Sequence, residues 1–410
     1  MLLDILIAIM IVKFCVQYYL SHINDKRLAS YAYPQLPDNI RSLFTLSEFE
    51  KTVQYNLEKS KFNTWSAFFY TCIVIVVVIP PFPAYIYSFF GPVLWQQVLF
   101  LICVLVVESF WSSGASFIFQ FYIEEKYGFN KSTKKLWFKD TILSLFISLI
   151  LMSLVFSVFI YFATNFEYWW LWSFLFFLGF MLFMFIIGPY VISPLFNKFT
   201  ELKDDKLKEE LMALAKNSNF NAKKILMMDG SKRSKHSNAY FTGFGKFRRI
   251  VLYDTLVEQL TVDELKAVLA HEIGHYKRGH VPKTIVFMSL IMFVSFYVLS
   301  LVLKSNWVYE GLGFQSIQTG MVAPLFFFFF LMGDSWTYFI TPIFNRISRK
   351  FEYEADAFAK GIMGDGLHLM GALGKLTSEN MSNPLPHPIY SGFYYSHPTF
   401  QERCLALQKP

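Results

Sequence analysis

His271, Glu272 and His275 stand in the order and spacing of an HExxH motif. Two histidines four residues apart on a helix share a face, so both imidazoles can hold one divalent ion while the glutamate between them works on a water. This donor set suits zinc, and one Zn2+ ion is the expected cofactor. A catalytic zinc takes three protein ligands and leaves one position open for water. The third is expected at Glu352, in the helical pattern SRKFEYEADAFAKG at 348–361, beyond the last apolar block. Asp356 lies one turn further on the same face and can hold a zinc-bound histidine from behind, whereas Glu354 points elsewhere. His280 follows His271 by nine residues and precedes Pro282. Read as part of the same helix, it falls roughly opposite the metal face, as a helix-end residue. His22, His368 and His387 have no motif context.

The elements that must position these groups are legible nearby. Thr261 with Glu264 three residues later is a capping box, which starts the HExxH helix. Residues 200–217 place Leu202, Leu207, Leu211 and Leu214 near helical spacing among charges, an amphipathic helix. KKILMMDGS and RRIVLYDT read as strands flanking the glycine-containing stretch SKRSKHSNAYFTGFGK, a small sheet.

The rest of the chain is a membrane protein. Of 410 residues, 54% are hydrophobic and 16% charged, against about 25% charged in an ordinary soluble domain. The apolar residues fall in seven blocks, at 2–20, 66–89, 94–120, 141–163, 169–190, 281–303 and 321–343, each near the length that crosses a bilayer. The first block has no small-residue cleavage site and reads as a retained span. Segments 21–65 and 121–140 carry eleven Lys and Arg, whereas 90–93, 164–168 and 304–320 carry only Lys304. The positive-inside rule then puts the N-terminus on the non-cytosolic side. The chain divides accordingly: spans one to five in 1–190, a cytosolic metalloprotease segment in 191–280, spans six and seven in 281–343, and a cytosolic segment, 344–410, that completes the zinc site.

Charges inside the spans are costly. Glu108 and Asp334, near mid-span, are expected to face a lined cavity; Asp4 and Lys13, nearer an end, are expected to snorkel. The four cysteines show no paired spacing, so neither disulfides nor a cysteine zinc site is expected. The net charge of +7 has no basic stripe interleaved with stacking aromatics, and nucleic acid is not an expected partner.

With these features in place, the chain resembles the type I CAAX prenyl proteases. The likeness runs through IEEKYGFNKST at 123–133, GSKRSKHSNAYFTGFGKFRRIVLYDTL at 230–256, HEIGH, SRKFEYEADAFA at 348–359 and YSHPTFQERCLAL at 395–407. It implies a mainly α-helical membrane protein, seven transmembrane helices enclosing a chamber, with a zincin-like α+β zinc metalloprotease portion in the cytosol. It also implies His271, His275 and Glu352 as zinc ligands and Glu272 as the catalytic glutamate. Asp356 matches the acidic residue of the EYxAD segment. His397, assigned a catalytic part, and Arg403 match an SHPxxxER element beside the metal. The HSNAY stretch, with His236, Asn238, Ala239 and Tyr240, resembles the edge strand along which an extended substrate binds.

The implied activity is peptide hydrolysis near the C-terminus of prenylated CAAX proteins, with other membrane-associated peptides and membrane lipid as further partners. The implied location is the endoplasmic reticulum membrane if the source is eukaryotic, the cytoplasmic membrane if bacterial. The alternatives are a membrane quality-control metalloprotease with no prenyl requirement, and a transporter or scaffold with a vestigial zinc site. The complete ligand set with Glu272 argues against the last.

Overall fold

The computed structural model describes residues 2–220, 223–242, 249–303, 305–314 and 321–409. Residues 243–248 of the glycine-containing stretch and Lys304 lie outside the described residues. Among those described, seven helices are long and apolar enough to cross a membrane, as the apolar blocks require. The fold is mainly helical, in agreement with the sequence expectation.

The first five spans are carried by α1 (Leu2–Ser30), α2 (Leu46–Val78), α3 (Leu94–Ile118), α4 (Lys134–Asn165) and α5 (Trp169–Ile187). Two of these helices start well before their apolar blocks, because caps allow the helix to begin in water. Thr45 and Glu48 form a capping box at α2, and Thr133 Oγ1 accepts the Leu136 N–H at α4. The second block, read as 66–89, is not one helix. Pro80 and Pro81 lack N–H donors, so α2 ends at Val78 and a separate short helix follows at Phe82–Tyr87.

The intramembrane charges are partnered. Lys13 does not snorkel; it is 9% exposed and forms an ion pair with Asp334 of the seventh span, near the Tyr338 ring. Pairing offsets part of the cost of placing both charges within the spans, with Lys13 buried and the Asp334 side chain exposed. Glu108 accepts a hydrogen bond from Tyr70 Oη at 2.7 Å, and both line an otherwise apolar cavity of about 270 Å³ with Phe100 and Phe327.

Next comes a four-stranded sheet with one long helix before it is complete. β1 (Phe199–Glu201) precedes α6 (Asp205–Asn217), then β2 (Lys224–Met228), β3 (Ala239–Thr242) and β4 (Arg249–Tyr253). The order is β1-β2-β4-β3, with β2 and β4 parallel and β3 antiparallel to β4 at the sheet's edge. The amphipathic stretch from 200 is thus split. Its first residues pair as β1, and the helix starts where the Asp204 side chain caps the Leu207 N–H.

The HExxH helix α7 (Val262–Lys277) packs on this sheet. Leu265, Leu269 and Ile273 meet Leu207 and Leu211 of α6 and Ile225, Ile250 and Leu252 of the strands in one buried core. The sixth span is α8 (His280–Leu303). The seventh, α9 (Ala323–Met363), has 41 residues and spans about 60 Å, twice the hydrocarbon thickness. One rod therefore carries Asp334 among the spans and Glu352 to the sheet and α7. Helices α10 (Leu367–Glu379) and α11 (Phe400–Gln408) pack around its end.

Candidate metal centre

The site forms where α7 crosses α9. At the crossing Gly274 is needed for closeness: a Cβ there would come within 3.0 Å of both the Ala355 Cα and its carbonyl oxygen. The capping box fixes the start of α7. Glu264 accepts the Thr261 N–H at 2.7 Å and also receives Lys375 of α10 at 2.7 Å.

On this frame His271 Nε2 and His275 Nε2 face each other at 3.1 Å. Glu352 enters from α9, with Oε1 3.2 Å from His275 Nε2 and Oε2 3.4 Å from His271 Nε2. These three side chains offer ligand atoms all within 4.8 Å of one another. Four-coordinate zinc with bonds of about 2.0–2.1 Å has tetrahedron edges of about 3.3 Å, close to the separations found. The donor chemistry fits as well. Among the described residues Glu352 Oε2 is buried with no hydrogen-bond partner, Arg403 Nη1 lying 3.6 Å away, and a bound metal ion would satisfy it more closely.

Behind His271, Nδ1 lies 2.9 Å from Asp356 Oδ1, and Arg403 of α11 grips both oxygens of Asp356. Burial alone would push the His271 imidazole down. Hydrogen bonds to Asp356 and Glu352 outweigh it and raise the group to about 9 in the metal-free protein. Burial pushes the Glu272 carboxyl up, only partly opposed by the neighbouring imidazoles. Glu272 shares a narrow crevice with Ala239 and Tyr240 of β3, so its carboxylate faces the sheet's edge strand. His397 comes over the open side, its Nε2 3.4 Å from Glu352 Oε1 and its Nδ1 3.0 Å from Ser396 Oγ.

Of the HSNAY residues, Ala239 and Tyr240 lie on β3, opposite Leu252 and Val251 of β4. Asn238 precedes the strand and its carbonyl accepts the Tyr253 N–H. His236 stands further back, with its ring nitrogens turned inward. Nε2 lies 3.2 Å from Glu124, Nδ1 3.0 Å from Asn380 Oδ1, and Phe129 stacks on the ring. Its geometry ties the strand to Glu124, six residues beyond the end of α3, and to Asn380.

His280 departs from the sequence expectation. It does not continue α7: Gly279, at φ +66, breaks the helix, and His280 opens α8. The break returns its ring to the metal side, where its Nδ1 lies 2.9 Å from His275 Nδ1 and its Nε2 3.1 Å from Glu354. Gly279 followed by Pro282 was the available signal, since a glycine with a proline shortly after marks a helix stop.

This geometry suits hydrolysis of a peptide bond, and the frame that carries it crosses a membrane, so the class is an integral-membrane metalloprotease. The chain belongs to peptidase family M48: residues 201–410 match that family, and residues 27–198 match the CAAX prenyl protease N-terminal family of five membrane helices. It is 34% identical to the CAAX prenyl protease 1 homolog of Oryza sativa subsp. japonica, over 99% of this chain and 97% of that one. It is 38% identical to CAAX prenyl protease 1 of Saccharomyces cerevisiae, over 76% of this chain and 72% of the relative. The crystal structure of S. mikatae Ste24p superposes with a TM-score of 0.90 at 32% identity, covering 99% of this chain and 98% of that one.

Proposed function

We propose that the chain is a zinc endopeptidase that cuts prenylated CAAX proteins near their C-terminus, with its catalytic segments at the cytosolic face of the endoplasmic reticulum membrane. The observation that carries the reading is the meeting of His271, His275 and Glu352 from two helices, with Glu272 turned to β3, the outermost strand among the described residues. Relatives bearing the CAAX prenyl protease name across nearly the whole chain support the substrate class. The asymmetry of basic residues between loops supports the orientation, and the eukaryotic sources of the relatives fit the compartment.

In this reading His271, His275 and Glu352 hold the ion. When bound, zinc supplies a Lewis acid for the scissile carbonyl and lowers the pKa of a water towards about 7. Glu272 accepts a proton from the attacking water and later gives it to the departing amine. A substrate segment lies extended against β3, exchanging backbone hydrogen bonds, which fixes register while leaving side-chain selectivity loose. His397, above Glu352, is placed to donate to the developing oxyanion. Asp356 and Arg403 hold His271 in orientation from behind.

The test is cleavage of matched farnesylated and unmodified C-terminal peptides by purified protein, with and without a zinc chelator. Preferential cleavage of the farnesylated peptide, lost with chelator and restored by zinc, is expected. Equal cleavage of both peptides would return the substrate class to general membrane quality control.

A further inference from the structure

His271 and His275 are both backed at Nδ1, but by different devices. Asp356 backs His271 directly. His275 has no carboxylate behind it; its Nδ1 meets a second imidazole, His280 Nδ1, at 2.9 Å, and the far nitrogen of His280 meets Glu354 at 3.1 Å. His280 is 3% exposed and its ring lies flat on Phe351, with centroids 4.2 Å apart and planes 9° from parallel. The stack fixes the ring plane, and the contacts at Nδ1 and Nε2 fix which edge faces which partner. No role for His280 or Glu354 follows from the HExxH motif or from the ligand set.

The hydrogen positions along this row are determined by its ends. A neutral imidazole carries one donor and one acceptor nitrogen. The Glu354 carboxylate can only accept, so His280 donates to it from Nε2. His280 Nδ1 is then a lone pair, which requires a donor facing it. That donor is the Nδ1–H of His275. With its hydrogen on Nδ1, His275 presents a lone pair at Nε2, the atom 3.1 Å from His271 Nε2 and 3.2 Å from Glu352 Oε1. The reverse assignment places two acceptors opposite each other at Glu354 and turns an N–H into the metal site.

We propose that His280 and Glu354 are positioning residues, a histidine–carboxylate relay that sets the tautomer of His275 so that its Nε2 lone pair faces the metal. The relay also joins two helices behind the site, since His280 is the first residue of α8 and Glu354 lies on α9. A shift of one helix against the other changes the backing of a metal ligand.

The inference rests on the zinc reading above, and the test separates the two. Zinc is titrated into metal-stripped full-length protein in detergent against a chelating indicator, and the cobalt-substituted protein is followed by visible absorption. Wild type binding one ion tests the zinc reading; ratios between variants test the relay. His280→Phe keeps the stack on Phe351 and removes the acceptor, and about a 10–100-fold loss of zinc affinity with a shifted cobalt spectrum is expected. His280→Asn places a carbonyl oxygen where Nδ1 was, and recovery to within a few-fold of wild type is expected. Glu354→Leu against Glu354→Gln repeats the comparison on a partly exposed side chain, with only the former expected to weaken zinc. Wild-type affinity in folded His280→Phe, or equal damage in Phe and Asn variants, would overturn the relay, as would equal behaviour of the two Glu354 variants.

Discussion

Arg403 closes on Asp356 through two parallel hydrogen bonds, Nε to Oδ2 at 2.8 Å and Nη2 to Oδ1 at 2.5 Å. Asp356 Oδ1 also takes His271 Nδ1 at 2.9 Å, so Arg403 on α11 orients a group on the HExxH helix. All three side chains are at least nine-tenths buried. The arrangement is a fork pair in which the guanidinium takes one lone pair on each carboxylate oxygen while the imidazole shares Oδ1.

Removing Arg403 therefore leaves Asp356 buried with half its partners. Arg403→Ala is expected to lower thermal stability by the equivalent of about 3–5 kcal/mol, the usual cost of breaking a buried pair. It should also weaken zinc about tenfold or more. Arg403→Lys keeps the charge but not the fork, and an intermediate loss is expected. Thermal melts and zinc titration of the two variants check the ordering.

Glu272 carries the proton in the proposed reaction but is not a ligand. Glu272→Gln should keep one zinc per chain by elemental analysis while cleavage of a farnesylated peptide falls about 100- to 10,000-fold, the range for a lost general base. Near-normal turnover in that variant would remove Glu272 from its role.

In the metal-free protein His271 is raised to about 9, so at neutral pH it holds a proton that a metal must displace. Apparent zinc affinity should then rise with pH, at least until His271 has lost its proton near 9. Calorimetry in buffers of different ionisation enthalpy should find more than one proton released near pH 7, about one from His271 and a further share from the zinc-bound water. For the fold the sign runs the other way. The raised imidazole stabilises metal-free protein fully below its ordinary value of about 6.5, and that contribution is lost as pH climbs through 9. Release near pH 7 of no more than the bound water's share would contradict this.

The motif residues were readable in the chain because local helical spacing puts His271 and His275 on one face, whatever the rest of the fold does. Glu352 was readable only through an added requirement, that zinc needs a third ligand and that the topology brings 348–361 to the same side. Where the reading assumed an unbroken helix it went astray: His280 was placed opposite the metal because one left-handed glycine was not weighed. The Lys13 and Asp334 pair had no local trace, since 321 residues separate the partners and only packing of the first span on the seventh joins them. The strand β1 likewise depends on its partner β2 rather than on any alternation of its own three residues.

The crossing of α7 and α9 sets the ligand separations, and Gly274 sets the crossing. An added methyl has two opposed effects. In a helix interior, Ala is favoured over Gly by about 1 kcal/mol. Against that, the new Cβ would lie 3.0 Å from the Ala355 Cα and carbonyl oxygen and 3.2 Å from Phe358 Cβ. The first two are backbone atoms of a 41-residue helix, which cannot rotate aside as a flexible side chain would. Overpacking of this kind costs about 1–3 kcal/mol, so the steric effect exceeds the propensity gain in most of that range. Ala355 sits between Glu352 and Asp356 in the same turns of α9, and pushing it away moves Glu352 from His271 and His275. Gly274→Ala is thus expected to lose zinc affinity and melt at lower temperature, whereas Gly361→Ala, on the same helix α9 with open space around its added methyl, should do neither. Measuring both variants by zinc titration and thermal denaturation checks the claim, and unchanged zinc binding in Gly274→Ala would show that the helix separation does not govern the ligand geometry.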